Sequence, residues 1–462
     1  MSETMRLADG FDVPDLAMWR SAVERVLRGG DPSSLVSTTA DGLDIRPLHT
    51  RDDLPPTALR ARPAGRRGAG NIGALVTRSS VIDANQELID EAAHGATSLE
   101  VRLDRRRSAG EAPDGVCLAD AGDMTRLSKD LPPSCPLLID AGPWAEEIAA
   151  RIRQPAAVVS DPLGAVATAE LSPDDMAIPN GTLQLRADGE LYHAAGATEA
   201  QELAAVVATA ITYLRHAAGT NGTLRQLRLR LAADADIFAT IAKHRAVRLL
   251  WANVLGHAGM QVPMVLEAIT AGRMMTLLDP YVNMLRTTAA AYAAGIGGAE
   301  TIVVRPFDQA LRQPQPFSRR IARNIQHVLI EESNLHRVAD PAGGSFFVEH
   351  LTHELATAAW RLVQRIEGEG GMRQALEKGT LQAAIEQARD ARLERIAAGD
   401  ETITGVTAFR ADTEAAAPAD EADPPQPFER HPSAGSRMIA RPLRPHRLAE
   451  TFESDDEPGA RR

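Results

Sequence analysis

The sequence contains few cysteines and few lysines, and the shortage of cysteine excludes whole classes of protein. Only two of the 462 residues are cysteines, Cys117 and Cys135, so we expect neither a disulfide framework nor a cysteine metal cluster. Both lie in apolar surroundings, GVCLAD and SCPLLID, which predicts buried packing positions. Lysine occurs only at Lys129, Lys243 and Lys378, so arginine carries nearly all of the positive charge.

Long apolar runs and an excess of positive charge are also missing. No stretch approaches the ~18 apolar residues of a transmembrane helix, and the mixed polar and acidic N-terminus does not resemble a signal peptide. The net charge of -12 and isoelectric point near 5.5 argue against a nucleic-acid partner, which needs a clustered basic surface. We therefore expect a soluble, cytoplasmic protein with no nucleic-acid partner and no membrane partner.

Eight short β-like runs recur along the chain, most of them separated by alanine-rich helical stretches. They are GALVTR (73–78), SLEVRL (98–103), CPLLID (135–140), AAVVSD (156–161), TLQLRA (182–187), QLRLRL (226–231), VPMVLEA (262–268) and ETIVVR (300–305). This alternation is typical of parallel strands joined by crossover helices. Eight such runs predict an α/β fold, a (β/α)8 TIM barrel, whose usual length is about 250 residues. Whether side chains fill the barrel interior stays open at this stage.

The flanking segments predict three parts. Residues 1–62 form an N-terminal arm, in which Trp19, Val23 and Leu27 recur at helical spacing and TADGLDIRPLHT contains a turn. Residues 63–410 form the barrel with its C-terminal helices. Residues 411–462 read as a flexible linker and tail, because ADTEAAAPADEADPPQP is acidic and rich in alanine and proline.

Three helices have their own signals within the barrel part. Thr198 and Gln201 match a capping box, which predicts a helix from there to about residue 218. Residues 317–334 and 351–368 have the apolar periodicity of long amphipathic helices with charged outer faces.

Two motifs invite a cofactor or metal interpretation, and neither has the required context. Gly68, Gly70 and Gly73 satisfy G-x-G-x-x-G, but the predicted strand follows the glycines, whereas a dinucleotide site needs the strand before them. His350 and His353 have a spacing that brings two imidazoles together, but no third ligand is evident. We interpret the glycines as an entry to the first strand and the histidines as helix-surface residues, and we predict that this chain binds no cofactor or metal.

His193 is the candidate site residue. It follows the fifth predicted strand, and the active sites of barrel enzymes lie at the C-terminal ends of the strands. A histidine there can donate a hydrogen bond to a carbonyl oxygen and stabilise developing charge. The alternative is a packing histidine retained in an inactive barrel.

Residues 273–349 resemble the second half of the barrel domain of methylmalonyl-CoA mutases. The segment contains RMMTLLDPYVNMLRTTAAAYAAGIGGAETIVV, and further similar pieces are TADGLDIRPLHT, YHAAGATEAQELA, DADIFATIAKHRAVRLLWANVL and GVTAFR. The similarity covers roughly residues 15–410, with a further trace near RPHRLAETFE. The resemblance implies isomerisation of acyl-CoA thioesters through an adenosylcobalamin radical. It also implies a barrel whose axis holds the pantetheine arm of coenzyme A, capped by a separate cobalamin domain. Catalytic chains of the family carry a histidine before an AGAT-like turn, as His193 does here.

Several positions depart from the catalytic chains of this family. Those chains carry a tyrosine at the first strand, whereas no tyrosine precedes Tyr192 here. Their Gln-Thr-Ser-Gly-like block is replaced by AITAG at residues 268–272, and their His-Thr-Asn-like block is replaced by VRPF at residues 304–307. No histidine lies in the Asp-x-His-x-x-Gly context that ligates cobalt, so a cobalamin-binding domain is not expected in this chain.

The departures match the small subunit of heterodimeric bacterial mutases. That resemblance implies a non-catalytic subunit that stabilises a catalytic large subunit, with adenosylcobalamin bound by the partner and no cofactor bound by this chain. The expected reaction of the complex converts (R)-methylmalonyl-CoA to succinyl-CoA. Two alternatives remain: an active acyl-CoA mutase barrel that uses a cobalamin domain on another chain, and a regulatory partner of a related mutase.

Overall fold

The computed structural model describes residues 15–54, 68–104, 115–118, 122–151, 156–179, 183–220, 224–411, 439 and 441–453. The GxGxxG segment and the two cysteines fall within these ranges. Most of the arginine-rich segment RARPAGRRGAG at residues 60–70 and most of the acidic linker lie outside the described residues. Within the described part, no helix combines the length and the apolar character needed to cross a membrane.

The N-terminal arm contains one helix and one small hairpin. Helix α1 (Leu16–Val26) begins at Asp15, whose carboxylate accepts a hydrogen bond from the Met18 amide at 2.7 Å. None of its residues is buried. The hairpin pairs β1 (Ser37–Thr38) with β2 (Asp44–Ile45) in antiparallel register. The predicted arm helix and turn are therefore both present.

The eight predicted runs form a closed parallel barrel in which each strand pairs with the next and the last pairs with the first. The strands are β3 (Asn71–Val76), β4 (Ser98–Arg102), β5 (Leu137–Asp140), β6 (Ala157–Ser160), β7 (Gln184–Asp188), β8 (Leu227–Ala233), β9 (Met264–Thr270) and β10 (Thr301–Val303). The predicted (β/α)8 barrel is confirmed. Alternate residues of each strand face the surrounding helices and the barrel axis, as the period of two requires.

Helices cover the outside of the barrel. They are α2 (Val81–Ala93), α3 (Asp123–Leu127), α4 (Ala145–Arg151), α5 (Pro162–Ala167), α6 (Glu190–Ala194), α7 (Glu199–Gly219), α8 (Ile237–Ala258), α9 (Val282–Ile296), α10 (Pro316–His327), α11 (Phe346–Gly368), α12 (Met372–Lys378) and α13 (Thr380–Ala398). The main core lies between the strands and these helices. Leu185 and Leu229 pack there with Leu203, Val207 and Leu355 in one buried cluster.

The predicted helices are found with adjusted ends. Thr198 caps α7, and its hydroxyl and the Gln201 side chain complete the capping box. Helix α10 continues into one π-helical turn over Val328–Glu332, so the predicted element at 317–334 is interrupted near its end. Helix α11 begins earlier than predicted because the Ser345 hydroxyl accepts from the Val348 amide.

Part of the predicted flexible tail packs on the barrel. Residues 441–453 include the short helix α14 (Glu450–Glu453). Leu448 and Phe452 join a small apolar cluster with Ile396, Ile403 and Val406. The expectation of a free tail does not hold for these residues, because a few of their apolar side chains pack against apolar residues of α13 and of the loop that follows it.

Candidate functional site

Four charged side chains fill the barrel axis. Glu100 of β4, Arg186 of β7, Arg230 of β8 and Glu267 of β9 are each at most 4% exposed. They point inward because their strand neighbours, such as Leu185 and leucines of β8, face the helices. The interior of this barrel is therefore closed by polar side chains.

Ion pairs connect these four residues across the barrel. Arg186 donates to both carboxylate oxygens of Glu100 at 3.0 Å, and its Nε lies 3.0 Å from Glu267 Oε2. Arg230 donates to Glu100, and its Nη2 lies 3.3 Å from Glu267 Oε2. Burial raises the pKa of Glu100, but Arg186 and Arg230 lower it more, so the pKa lies below its ordinary value. Both carboxylates stay ionised, and each guanidinium contacts both of them.

Sequence reasoning missed this network, although one signal was present. The run LRLRLAA in β8 places arginines at alternate positions of a strand that is buried on both faces. Such a strand normally reads as a continuous apolar run, so an arginine on the inner face needs a carboxylate partner. The pattern predicts inward arginines, but the identity of their partners depends on the closed barrel.

A cavity of about 790 Å³ lies above this network, at the C-terminal ends of the strands. Its wall includes Arg305, whose Nε donates to the Thr270 carbonyl oxygen at 2.8 Å and whose Nη2 donates to Glu190 at 2.7 Å. Thr270 and Arg305 belong to the AITAG and VRPF segments singled out in the sequence. The two segments thus meet each other through hydrogen bonds at the barrel mouth.

The tail closes one side of this cavity. The amides of Leu443, His446 and Leu448 donate to the carbonyl oxygens of Ala167, Ala194 and Arg273 at 2.8, 2.8 and 2.9 Å. Residues 442–447 line the cavity directly. The C-terminal face of the barrel is therefore covered by a segment of the same chain.

His193 lies behind the cavity wall. It is 1% exposed, and its Nε2 lies 3.4 Å from Asp234 Oδ2. Burial, together with the positive charges of Arg273 and Lys243, holds the pKa of His193 well below its ordinary value. His193 is not among the described residues that line the cavity, and the structure brings it to a buried ion-pair cluster beside α8.

The glycine motif, the histidine pair and the two cysteines all lie away from the cavity described above. Gly73 lies within β3, where an added Cβ would come within 2.8 Å of the Ile302 carbonyl oxygen, so close strand packing accounts for this glycine. His350 is half-buried and contacts the His49 ring in a tilted arrangement, with ring centroids 4.8 Å apart. Cys117 and Cys135 are buried, as predicted. Among the described residues, no group of three or more His, Cys, Asp and Glu side chains is arranged for a metal ion.

Comparison with known proteins gives consistent matches over most of the chain. The family model of methylmalonyl-CoA mutase matches residues 182–433. The methylmalonyl-CoA mutase small subunit of Streptomyces virginiae is 37% identical, over 93% of this chain and 74% of the relative. The small subunit of Propionibacterium freudenreichii subsp. shermanii is 32% identical, over 88% of this chain and 70% of the relative. The mitochondrial methylmalonyl-CoA mutase of Bos taurus is 27% identical, over 86% and 61%.

Proposed function

This chain belongs to the methylmalonyl-CoA mutase family, and we propose that it is the small, non-catalytic subunit of an adenosylcobalamin-dependent methylmalonyl-CoA mutase. Its role is to bind and stabilise a catalytic large subunit in the cytoplasm. The complex interconverts (R)-methylmalonyl-CoA and succinyl-CoA. This chain supplies structure, and the partner supplies the reacting groups.

The filled barrel axis is the observation that carries this proposal. A pantetheine arm threaded along the axis would have to displace Arg186 and Arg230, which are each 1% exposed. Displacement would break their contacts with Glu100 and Glu267. Separating a buried ion pair costs about 3–5 kcal/mol when one partner is left unpaired. An acyl-CoA therefore gains no binding site along this axis.

The C-terminal face also does not fit a docked cobalamin. The backbone amides of Leu443, His446 and Leu448 already bond to barrel carbonyl oxygens at this face. Phe452 anchors the segment in an apolar cluster. Among the described residues, the tail thus occupies part of the face on which the cofactor would dock, so we place adenosylcobalamin in the partner and derive no step through it here.

The N-terminal arm is the proposed contact with the large subunit. An isolated helix of 11 residues is marginal in water, yet α1 buries none of its residues against its own chain. Trp19, Val23 and Leu27 are half-buried at best and lie on one face of the helix. A partner surface that covers this apolar face accounts for a helix that its own contacts do not stabilise.

Co-expression tests the proposal. This chain is produced with a large subunit from the same genome, separated by size-exclusion chromatography, and each peak is assayed for mutase activity. We expect an active 1:1 complex, and no turnover or acyl-CoA binding by this chain alone. Turnover by this chain with only a separate cobalamin-binding domain added contradicts the proposal, and His193 is then the first residue to substitute.

A pair of substitutions tests the arm. Val23→Asp places a carboxylate on the apolar face of α1 and should weaken the complex at least tenfold. Ser21→Asp places the same charge on the opposite, exposed face and should leave the affinity within a factor of two. Equal affinities of the two variants for the large subunit contradict the assignment of the arm as the contact.

A further inference from the structure

The mouth cavity has no role in the proposed stabilising function. Its volume of about 790 Å³ lies within the range of roughly 300–1,000 Å³ that is typical of small-molecule sites. It is separated from the barrel axis by the floor that Arg186 and its carboxylate partners form. A ligand in this cavity would thus bind without entering the axis.

One arginine in the cavity wall lacks a direct ion pair within the described part of the chain. Arg102, the last residue of β4, forms no ion pair or side-chain hydrogen bond with any residue that the structure describes, and its Nε is buried without a partner. The other inner arginines are engaged: Arg186 by Glu100, and Arg305 by Glu190 at 2.7 Å. A half-buried guanidinium with a buried, unsatisfied nitrogen is unfavourable unless something accepts its hydrogen bonds.

Carboxylates and guanidiniums both line the cavity, but no carboxylate of the described residues pairs directly with Arg102. Arg102 and Arg305 line the same cavity, and Glu190 forms its direct ion pair with Arg305 alone. Burial lowers the pKa of Arg305, Glu190 opposes this effect, and Arg102 and Arg230 lower the pKa further. Arg102 also lowers the pKa of Glu190, and Asp140, Asp161 and Asp188 line the same cavity, so the wall carries charges of both signs. What the described residues do not supply is a direct hydrogen-bonding partner for the Arg102 guanidinium.

We propose that the mouth cavity binds a small organic anion, a carboxylic acid or a phosphomonoester, through the guanidiniums of Arg102 and Arg305. The planar, forked guanidinium matches both carboxylate and phosphate oxygens. Val159, Leu191 and Met275 line the same cavity and offer apolar contact to a short carbon skeleton. The tail residues 442–447 form the roof over the bound anion.

The test is calorimetric titration of the full-length protein with malonate and, separately, with inorganic phosphate at constant ionic strength. We expect saturable binding of at least one of them. Arg102→Met should weaken that binding roughly 10- to 100-fold, because a charge-assisted hydrogen bond is lost. Arg102→Lys keeps the positive charge but loses the forked guanidinium. Its affinity for the anion should lie between those of Arg102→Met and the unmodified chain. Binding of malonate alone identifies a carboxylate ligand, and binding of phosphate alone identifies a phosphomonoester.

Arg320→Met is the matched control, because Arg320 is exposed on α10 and the substitution changes the net charge equally. Binding should be unchanged in this variant. The absence of saturable binding in the unmodified chain, or equal effects of Arg102→Met and Arg320→Met, overturns the proposal. The outcome is independent of the role as a mutase subunit, since no large subunit is present and no turnover is measured.

Discussion

The barrel axis and the barrel mouth are adjacent, but the arginines of the two regions differ in how they are paired. In the axis every buried guanidinium faces carboxylates, so Arg186 and Arg230 close the channel. In the mouth, Arg102 lines the cavity without a direct ion pair among the described residues, and the wall is partly built from the chain's own tail. The comparison indicates that closing the axis and keeping a cavity at the mouth are separate features of this barrel. Substitutions in the two regions should therefore have different consequences.

The largest effect is expected in the axis. Glu100→Ala leaves Glu267 as the one carboxylate of the network for both Arg186 and Arg230, and should lower the free energy of unfolding by about 3–5 kcal/mol. Urea denaturation followed by circular dichroism measures the change. Glu331→Ala, at an exposed position, is the control and should stay within about 0.5 kcal/mol. Similar midpoints for the two variants would show that the network contributes little to stability.

A smaller effect is expected where the tail covers the mouth. Phe452→Ala removes an aromatic ring that is 9% exposed and should destabilise the docked tail by about 2–3 kcal/mol. The amides of Leu443, His446 and Leu448 should then exchange hydrogen faster, while those of the barrel strands stay protected. Phe409→Ala, at a side chain 82% exposed, is the control and should leave the tail unaffected. Uniform loss of protection throughout the barrel would contradict a tail that undocks by itself.

The two regions should also differ in pH dependence. Burial, which outweighs hydrogen bonds from Tyr213, Gly164 and Asp188, raises the pKa of Asp161 at the mouth to about 6. A raised carboxyl pKa contributes stability that is present below the ordinary value and is lost as pH rises through about 6. The pKa of Glu100 is lowered, so its contribution is present above the ordinary value and is lost only in more acidic solution.

Asp161→Asn removes the pH-dependent contribution of Asp161 to the free energy of unfolding. Between pH 4 and pH 7, the free energy of unfolding of this variant relative to the unmodified chain should rise by about 2 kcal/mol. Denaturation midpoints at several pH values measure the difference. Glu100→Gln should produce no such rise over the same interval. A constant difference for Asp161→Asn would contradict a carboxyl that titrates near pH 6 in the folded protein.

The smallest effect is expected at Arg102. Because this side chain has no ion pair within the described residues, Arg102→Met should change the free energy of unfolding by less than about 0.5 kcal/mol. Thermal denaturation in buffer without added organic anion checks this. A loss comparable with that of Glu100→Ala would place Arg102 in the structural network and remove the difference between mouth and axis.

Local patterns in the sequence were sufficient for the architecture. The eight β-like runs, the capping box at Thr198 and the apolar stripe of α1 depend on neighbours a few residues apart, and all of them are present in the structure. The family resemblance also followed from ordered local segments. The tail was misjudged in part, because its composition favours disorder and its few apolar side chains pack only against α13 and the loop after it.

The sequence by itself determined a (β/α)8 barrel with an amphipathic arm, and it also determined the family. The periodicity of strands and helices depends on residues that are close together in the sequence. Only the tertiary structure decided what occupies the axis. Arg186 and Arg230 meet Glu100 across separations of 86 and 130 residues, and a pattern of neighbours carries no information about such pairs. The same closure left Arg102 without a direct ion pair among the described residues and placed His193 behind the wall of the mouth. Charge pairing in this barrel depends on ring closure, which brings distant strands to one axis.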